Sequence, residues 1–153
     1  MLTLDLNMAQ LNAQLDGIVT QSEKAARIAA RLGSQMYYNA VLATVPVSKH
    51  GHWFQGSSAK KAQGAVAKKA ASYWFESGSL KGAVYQVYAK ESTPKHAEYQ
   101  IAWNHRKVPY GFMVTYGTVK TRPNPFVGRA EKTVKQQVET AVVNKFKEVM
   151  GER

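Results

Sequence analysis

Four histidines, His50, His52, His96 and His105, are the side chains whose chemistry is easiest to imagine. His50 and His52 could share a metal with His96 or His105, but no third ligand sits at a diagnostic spacing and the chain has no cysteine. Acid–base catalysis by carboxylates needs two acids held close together. The only aspartates, Asp5 and Asp16, fall in a segment that reads as one helix, and the glutamates are scattered among lysines. No GxSxG elbow presents a serine nucleophile, and neither GxGxxG nor a GK[ST] loop is there to cradle phosphates. The expectation is a protein that is not an enzyme and uses no cofactor and no metal. A small hydrolase has only unassigned histidines and serines in its favour. A different chemistry is better represented: Lys60, Lys61, Lys68 and Lys69 lie between Trp53-Phe54 and Tyr73-Trp74-Phe75, which suits phosphate contact combined with base stacking.

The charge balance points the same way. The 153 residues carry a formal net charge of +11, unevenly placed. Residues 1–48 are neutral, residues 49–77 hold five lysines against Glu76, and the rest stays basic. Such a surface attracts nucleic acid, anionic lipid or an acidic protein, although solubility alone would also favour it. With 44% hydrophobic and 20% charged residues the composition is globular, and the length suits one sizeable core and a single domain over 1–153. Apolar runs are interrupted every few residues, so no bilayer-spanning helix and no membrane partner are expected. The first residues, MLTLDLN, lack the basic start and apolar block of a signal peptide. Absence of cysteine excludes disulfides and fits cytosolic synthesis.

The elements that must carry these residues can be read from periodicity. Leu4, Leu11, Ile18, Ala25 and Leu32 interleave with Met8, Leu15, Ser22, Ala29 and Met36 in a 4-3-4-3 stripe, which predicts a helix over 1–44, ending before Pro46. Gly17 and Gly33 are candidate bends. The stripe would lie against a sheet or a neighbouring subunit, its small residues allowing close approach. Residues 49–77 read as an inserted basic arm anchored at its aromatic feet, with a short helix from Ala59 to Tyr73; an ordinary solvated surface helix is the alternative. Residues 78–104 read as a hairpin: a strand over Leu80–Lys90, a turn over Glu91–Lys95 and a strand over Ala97–Asn104 with Tyr99, Ile101 and Trp103 on one face. A C-terminal helix over 125–150 carries the stripe Phe126, Ala130, Val134, Val138, Ala141, Val142, Phe146 and Val149, which is expected to bury Phe126, Val134 and Val138. The fold class is α+β.

Between hairpin and last helix lies VPYGFMVTYGTVKTRPNPFVGRA, which packs three glycines and three prolines into residues 108–130 and so cannot be one regular element. The motif loop over 108–124 reads as an apolar segment Tyr110 to Tyr116, either short helix or third strand, then a tight turn at Gly117-Thr118 and a basic loop with Lys120 and Arg122. Asn124 would cap the last helix with Pro125 at its first position. Tyr116 and Phe126 would pin the loop, and Gly117 is expected to have a positive φ.

PYGFMVTYGT followed by NPFVGRA resembles a signature of the neck proteins of tailed bacteriophages, small head–tail joining proteins also described as minor tail or tail-completion components. Pro109, Tyr110, Tyr116, Gly117, Thr118, Pro125 and Phe126 stand where that pattern expects them. Upstream, Val45-Pro46-Val47 and Gly78-Ser79-Leu80-Lys81 resemble two further steps of it. Three departures stand out: Thr115 replaces a usual acid, Gly128-Arg129 replaces an Arg-Pro pair, and most of 49–77 is an insertion. The resemblance implies a non-enzymatic subunit of the virion neck, made in the host cytoplasm. Such a subunit forms a homo-oligomeric ring between the portal-side connector or head-closure protein and the tail terminator or tail tube protein. Double-stranded DNA would pass through its lumen. Lys60, Lys61, Lys68, Lys69, Lys120 and Arg122 are then candidates to face that DNA or a protein partner. The competing reading is a small basic nucleic-acid-binding module, which explains charge and aromatics but not the Gly-Thr…Pro-Phe pattern.

Overall fold

A computed structural model describes residues 8–55, 72–93 and 96–151. The fold is α+β: a long N-terminal helix, short antiparallel strand pairs and a C-terminal helix. Helix α1 (Met8–Thr44) runs 37 residues without a break. Gly17 and Gly33 therefore do not break it, and it stops two residues before Pro46, where the residue preceding proline avoids helical backbone. Strands β1 (His52–Gln55) and β2 (Ser72–Phe75) pair antiparallel at the two feet of the inserted arm, Trp53 opposite Trp74. The rest of the arm, including most of the helix expected over Ala59–Tyr73, lies outside the described residues. Tyr73 itself belongs to β2 rather than to a helix.

The strand expected over Leu80–Lys90 is shorter. Its first residues form a single helical turn, α2 (Ser79–Gly82), and β3 spans only Val84–Tyr88. Gly78 has φ 81, which turns the chain out of extended backbone just before Leu80. Strand β4 (Tyr99–Trp103) pairs with β3, and flanking bonds close the hairpin at both ends: Ala89 N–H to Glu98 C=O at 2.9 Å and Asn104 N–H to Ala83 C=O at 2.8 Å. The segment left open between helix and strand is a helix, α3 (Gly111–Tyr116), and α4 spans Phe126–Met150.

The chain forms two compact units. In the unit made of Met1–Met36, Val87–Gln100 and Lys135–Arg153, small residues set the packing distance. A Cβ on Gly33 would stand 2.6 Å from Val142 Cγ2 and 3.2 Å from Val138 Cγ1, so glycine permits this approach of α1 to α4. Ala25, Ala29 and Val138 are buried here, and Tyr88 meets Tyr99 edge-on at 5.1 Å across the hairpin. In the unit made of Tyr37–Gln86 and Ile101–Val134, the core joins Val41, Val45, Leu80, Ala83, Val84, Val108, Phe126 and Ala130. Phe126 is 0% exposed and its ring lies 5.7 Å from that of Trp103. Val134, expected in the core, is half-buried.

Truncating Phe126 to Ala should destabilise the protein by roughly 3–5 kcal/mol, as for a fully covered aromatic ring. Denaturant unfolding of the two chains measures this; a loss below about 1 kcal/mol would remove Phe126 from the core.

Candidate functional site

Tyr110 is the pivot on which the aromatic residues of the second unit assemble. The chain reaches it through a turn in which the Asn104 side-chain oxygen accepts from the N–H groups of Arg106 and Lys107, after which Val108 is buried. The Tyr110 ring meets His52 edge-on at 4.7 Å and Phe75 at 4.9 Å, with Phe54 at 6.0 Å. Alternation along the β1–β2 ribbon puts these three on one face. Burial pushes the Tyr110 hydroxyl above its ordinary pKa, partly offset by hydrogen bonds with the Leu80 backbone and the Ser79 side chain. His52 is thus a packing ring, and among the described residues no three His, Asp or Glu side chains converge as metal ligands.

The opposite face of the ribbon is bare. Trp53 and Trp74 form an edge-on pair at 5.4 Å and both are exposed, Trp53 at 65%; Tyr73, paired with Phe54 on the first face, is exposed as well. The Trp74 indole N–H donates to the Glu76 carboxylate at 2.6 Å, which fixes the ring in place. Of the lysines singled out with these aromatics, Lys60, Lys61, Lys68 and Lys69 lie outside the described residues.

The motif loop is a second built feature. Gly111 opens α3 against Trp103, where a Cβ would stand 2.5 Å from the indole Nε1. Thr115, at the position of the acid expected from the resemblance, donates instead to the Gly111 carbonyl at 2.9 Å, so its hydroxyl is satisfied within the helix. Gly117 has φ 78 and ψ 178, a combination open essentially to glycine, and a Cβ there would come within 2.8 Å of both Thr121 O and Pro123 N. The tight turn lies two residues beyond the expected Gly117-Thr118. Thr118 and Thr121 exchange two backbone hydrogen bonds of 2.9 and 3.2 Å, and Val119 and Lys120 form the tip. The Thr118 hydroxyl oxygen accepts from the N–H groups of Lys120 and Thr121 inside this turn. The return leg is fixed by Asn124 N–H donating to Val114 C=O at 2.9 Å.

Two expectations are corrected here. Asn124 does not use its side chain to cap α4: its side-chain oxygen accepts from the Arg129 guanidinium. The first helical bond runs from Arg129 N–H to Pro125 C=O at 3.0 Å, so Pro125 flanks the helix rather than opening it. Tyr116 does not pin the loop either. It is 64% exposed, because Gly111 and Val114 take the inward face of α3. Phe112 and Met113 share the outward face with Tyr116, the Phe112 and Tyr116 rings stand 4.5 Å apart, and Val119 at the hairpin tip is fully exposed. Phe112, Met113 and Val119 were not among the residues singled out from sequence; the i, i+1, i+4 spacing of Phe112, Met113 and Tyr116 is informative only once the segment is known to be helical.

A cleft of about 360 Å³ runs between the loop and the segment after α1, walled by Pro46, Leu80, Tyr110 and Val114, with Asn124 and the cation of Arg122 at its polar edge. Arg122 thus borders the cleft while Lys120 belongs to the tip. Among the described residues Ser48, His52 and Thr121 also line the cleft, and no carboxylate does. Compared with family models, with curated proteins and with solved structures, the chain finds no match.

Gly117→Val should reduce the yield of soluble folded protein sharply, since both its φ and the space at Cβ exclude a branched residue; normal yield and thermal unfolding would refute this. Tyr110 makes a pH prediction. A hydroxyl that titrates above 10.0 only in the folded state contributes stability below pH 10.0 that is lost as pH rises past it. Tyr110→Phe should therefore flatten the alkaline fall in urea stability, and identical alkaline profiles would count against a buried hydroxyl.

Proposed function

We propose that this chain is a structural neck subunit of a tailed bacteriophage. It forms an oligomeric ring that joins the portal-side connector or head-closure protein to the tail terminator or tail tube protein, and it lets double-stranded DNA pass. The observation that carries this reading is the motif loop. Its backbone is held in one shape by Gly117, the Thr118–Thr121 turn and the Asn124–Val114 bond, yet its outward side presents Phe112, Met113, Tyr116 and Val119 to solvent. A rigid loop with large apolar side chains outward is built for docking, where exposed patches of this kind mark partner sites. The formal charge of +11 suits a wall that DNA slides past through phosphate contacts rather than base reading. Among the described residues no helix is long and apolar enough to cross a membrane, and the reading includes no membrane partner.

The test is a particle that encodes the chain. Removing the protein should leave filled heads and finished tails that fail to join, seen by electron microscopy; joined, infectious particles without it would end the proposal. Changing Lys60, Lys61, Lys68 and Lys69 together to Gln separates two roles for the arm. If the lysines face DNA, rings form but DNA retention falls, most at low salt; if they face protein, head–tail joining fails first. Normal joining with normal retention would return the arm to a solvated surface.

A second reading, a basic nucleic-acid-binding module, is favoured by one observation: the exposed Trp53–Trp74 pair and Tyr73 sit at the root of the lysine-rich arm. Solution mass separates the two, a multimer favouring the ring and a single chain that binds single-stranded nucleic acid favouring the module.

A further inference from the structure

The cleft beside the motif loop joins apolar walls to an edge of unengaged donors. Its volume of about 360 Å³ falls among those of sites that take a small ligand or a side chain. Pro46, Val47, Leu80, Val114 and the Tyr110 ring form the walls, and Arg122 carries the one permanent charge of the lining. The fold holds these residues in place. Asn124 N–H donates to Val114 C=O at 2.9 Å, which ties two lining residues together. The Ser48 carbonyl accepts from the Ser77 hydroxyl at 2.6 Å, and the Thr121 backbone is bonded to Thr118 through both its N–H and its C=O. The Tyr110 hydroxyl is already engaged with the Leu80 backbone and the Ser79 side chain.

The groups left at the edge can all donate. Among the described residues nothing accepts from the Arg122 guanidinium, and the Ser48 and Thr121 hydroxyls and the His52 ring nitrogens have no hydrogen-bond partner. The Asn124 side-chain oxygen is taken by Arg129, which leaves its amide nitrogen to donate. Donors around one cation, with no carboxylate beside them, favour an anion. A single guanidinium suits a carboxylate, whose two oxygens it binds side by side, better than a phosphate whose second charge would go unanswered. The walls require this carboxylate to be joined closely to an apolar group. In an extended segment adjacent side chains point to opposite faces, and next-but-one side chains stand about 7 Å apart. At the last residue of a chain, by contrast, side chain and carboxylate share one Cα. From the lining we infer that the cleft captures the C-terminal residue of a partner protein, its apolar side chain on Leu80 and Val114 and its α-carboxylate on Arg122. Capture of a terminal carboxylate is a recurrent mode of peptide recognition. This site does not depend on the ring reading, because it belongs to a single chain.

The test titrates the full chain with N-acetylated peptides and follows its amide and methyl resonances by NMR. Gly-Gly-Phe with a free carboxylate should shift Val114, Thr121 and Asn124 saturably at about 1 mM or below. Three comparison peptides should each bind about tenfold more weakly or worse: the carboxamide of Gly-Gly-Phe, Gly-Gly-Gly with a free carboxylate, and the carboxamide of Gly-Phe-Asp-Gly, whose acid is internal. Arg122→Gln and Val47→Asp both change exposed positions, so circular dichroism should be unchanged. Each should weaken the free acid about tenfold and leave the carboxamide where it was. A free acid and carboxamide that bind equally, or an Arg122→Gln chain that binds the acid as the wild type does, overturn carboxylate recognition. Equal binding of Gly-Gly-Gly shows that the apolar walls are not used, and equal binding of the internal acid shows that no chain end is required; either result overturns the inference. So does the absence of shifts at these three residues up to about 10 mM peptide. Failure of the titrations leaves the head–tail joining test untouched, and particles that join without the protein leave the cleft untouched.

Discussion

Burial of Phe126 is the contact on which the loop-bearing unit depends. Among the described residues it is the only large side chain that is wholly covered; its core neighbours are mainly Val and Ala, with Leu80 and the ring of Trp103. Its carbonyl accepts from the Thr44 hydroxyl at 3.2 Å, which ties the start of α4 to the end of α1. Gly111, pressed on Trp103, fixes the start of α3 against the same group. The fifteen-residue span from Gly111 to Pro125 therefore leaves and returns to fixed points. The turn must reverse the chain within that length, and the backbone of Gly117 is where the reversal is made. The shape of the loop is thus a consequence of the core, not of the loop's own composition.

The distribution of large apolar side chains is the counterpart of that small core. Leu11, Leu15, Ile18, Phe112, Met113, Tyr116, Val119, Trp53 and Trp74 all face solvent. Covering one such side chain contributes about 1.5–3 kcal/mol, so a partner that covered even a few would gain more than the flanking charges could supply. The charges do what the apolar groups cannot. Hydrophobic contact is indifferent to partner, whereas a loop that carries Lys120 and Arg122 and no acid disfavours a like copy of itself.

Much of this was legible in the sequence, and the limits have physical causes. The heptad stripe of α1, the hairpin, α4, Phe126 in the core and the positive φ of Gly117 all follow from periodicity or from a steric rule acting on one residue. What periodicity could not distinguish was decided by tertiary contact. Seven residues from Tyr110 fit helix or strand equally, and the close fit of Gly111 on Trp103 settles it. Leu80 looked like the first residue of a strand, but Gly78 turns the backbone and Leu80 enters the core from a helical turn instead. The stripe of α1 gives a face but not what covers it, so its uncovered first half was not foreseeable. Asn124 had two possible acceptor roles, and Arg129, five residues on, took the one that local helix rules ignore.

The seven motif residues divide by what the chain's own fold asks of them. Phe126 is needed for the core, Gly117 for the reversal, Thr118 for the turn, Tyr110 for the aromatic cluster, and Pro109 and Pro125 for the way the chain enters and leaves the loop. Any protein building this loop would favour such residues, and the departures are repaired locally: Thr115 bonds to Gly111, and Arg129 to Asn124. Tyr116 is different. It is exposed, its ring touches only the equally exposed Phe112 in the aromatic contacts of the loop, and the helix would form with a smaller residue there. On the proposed reading, a large aromatic side chain held outward at the end of α3 has its physical reason in a second molecule.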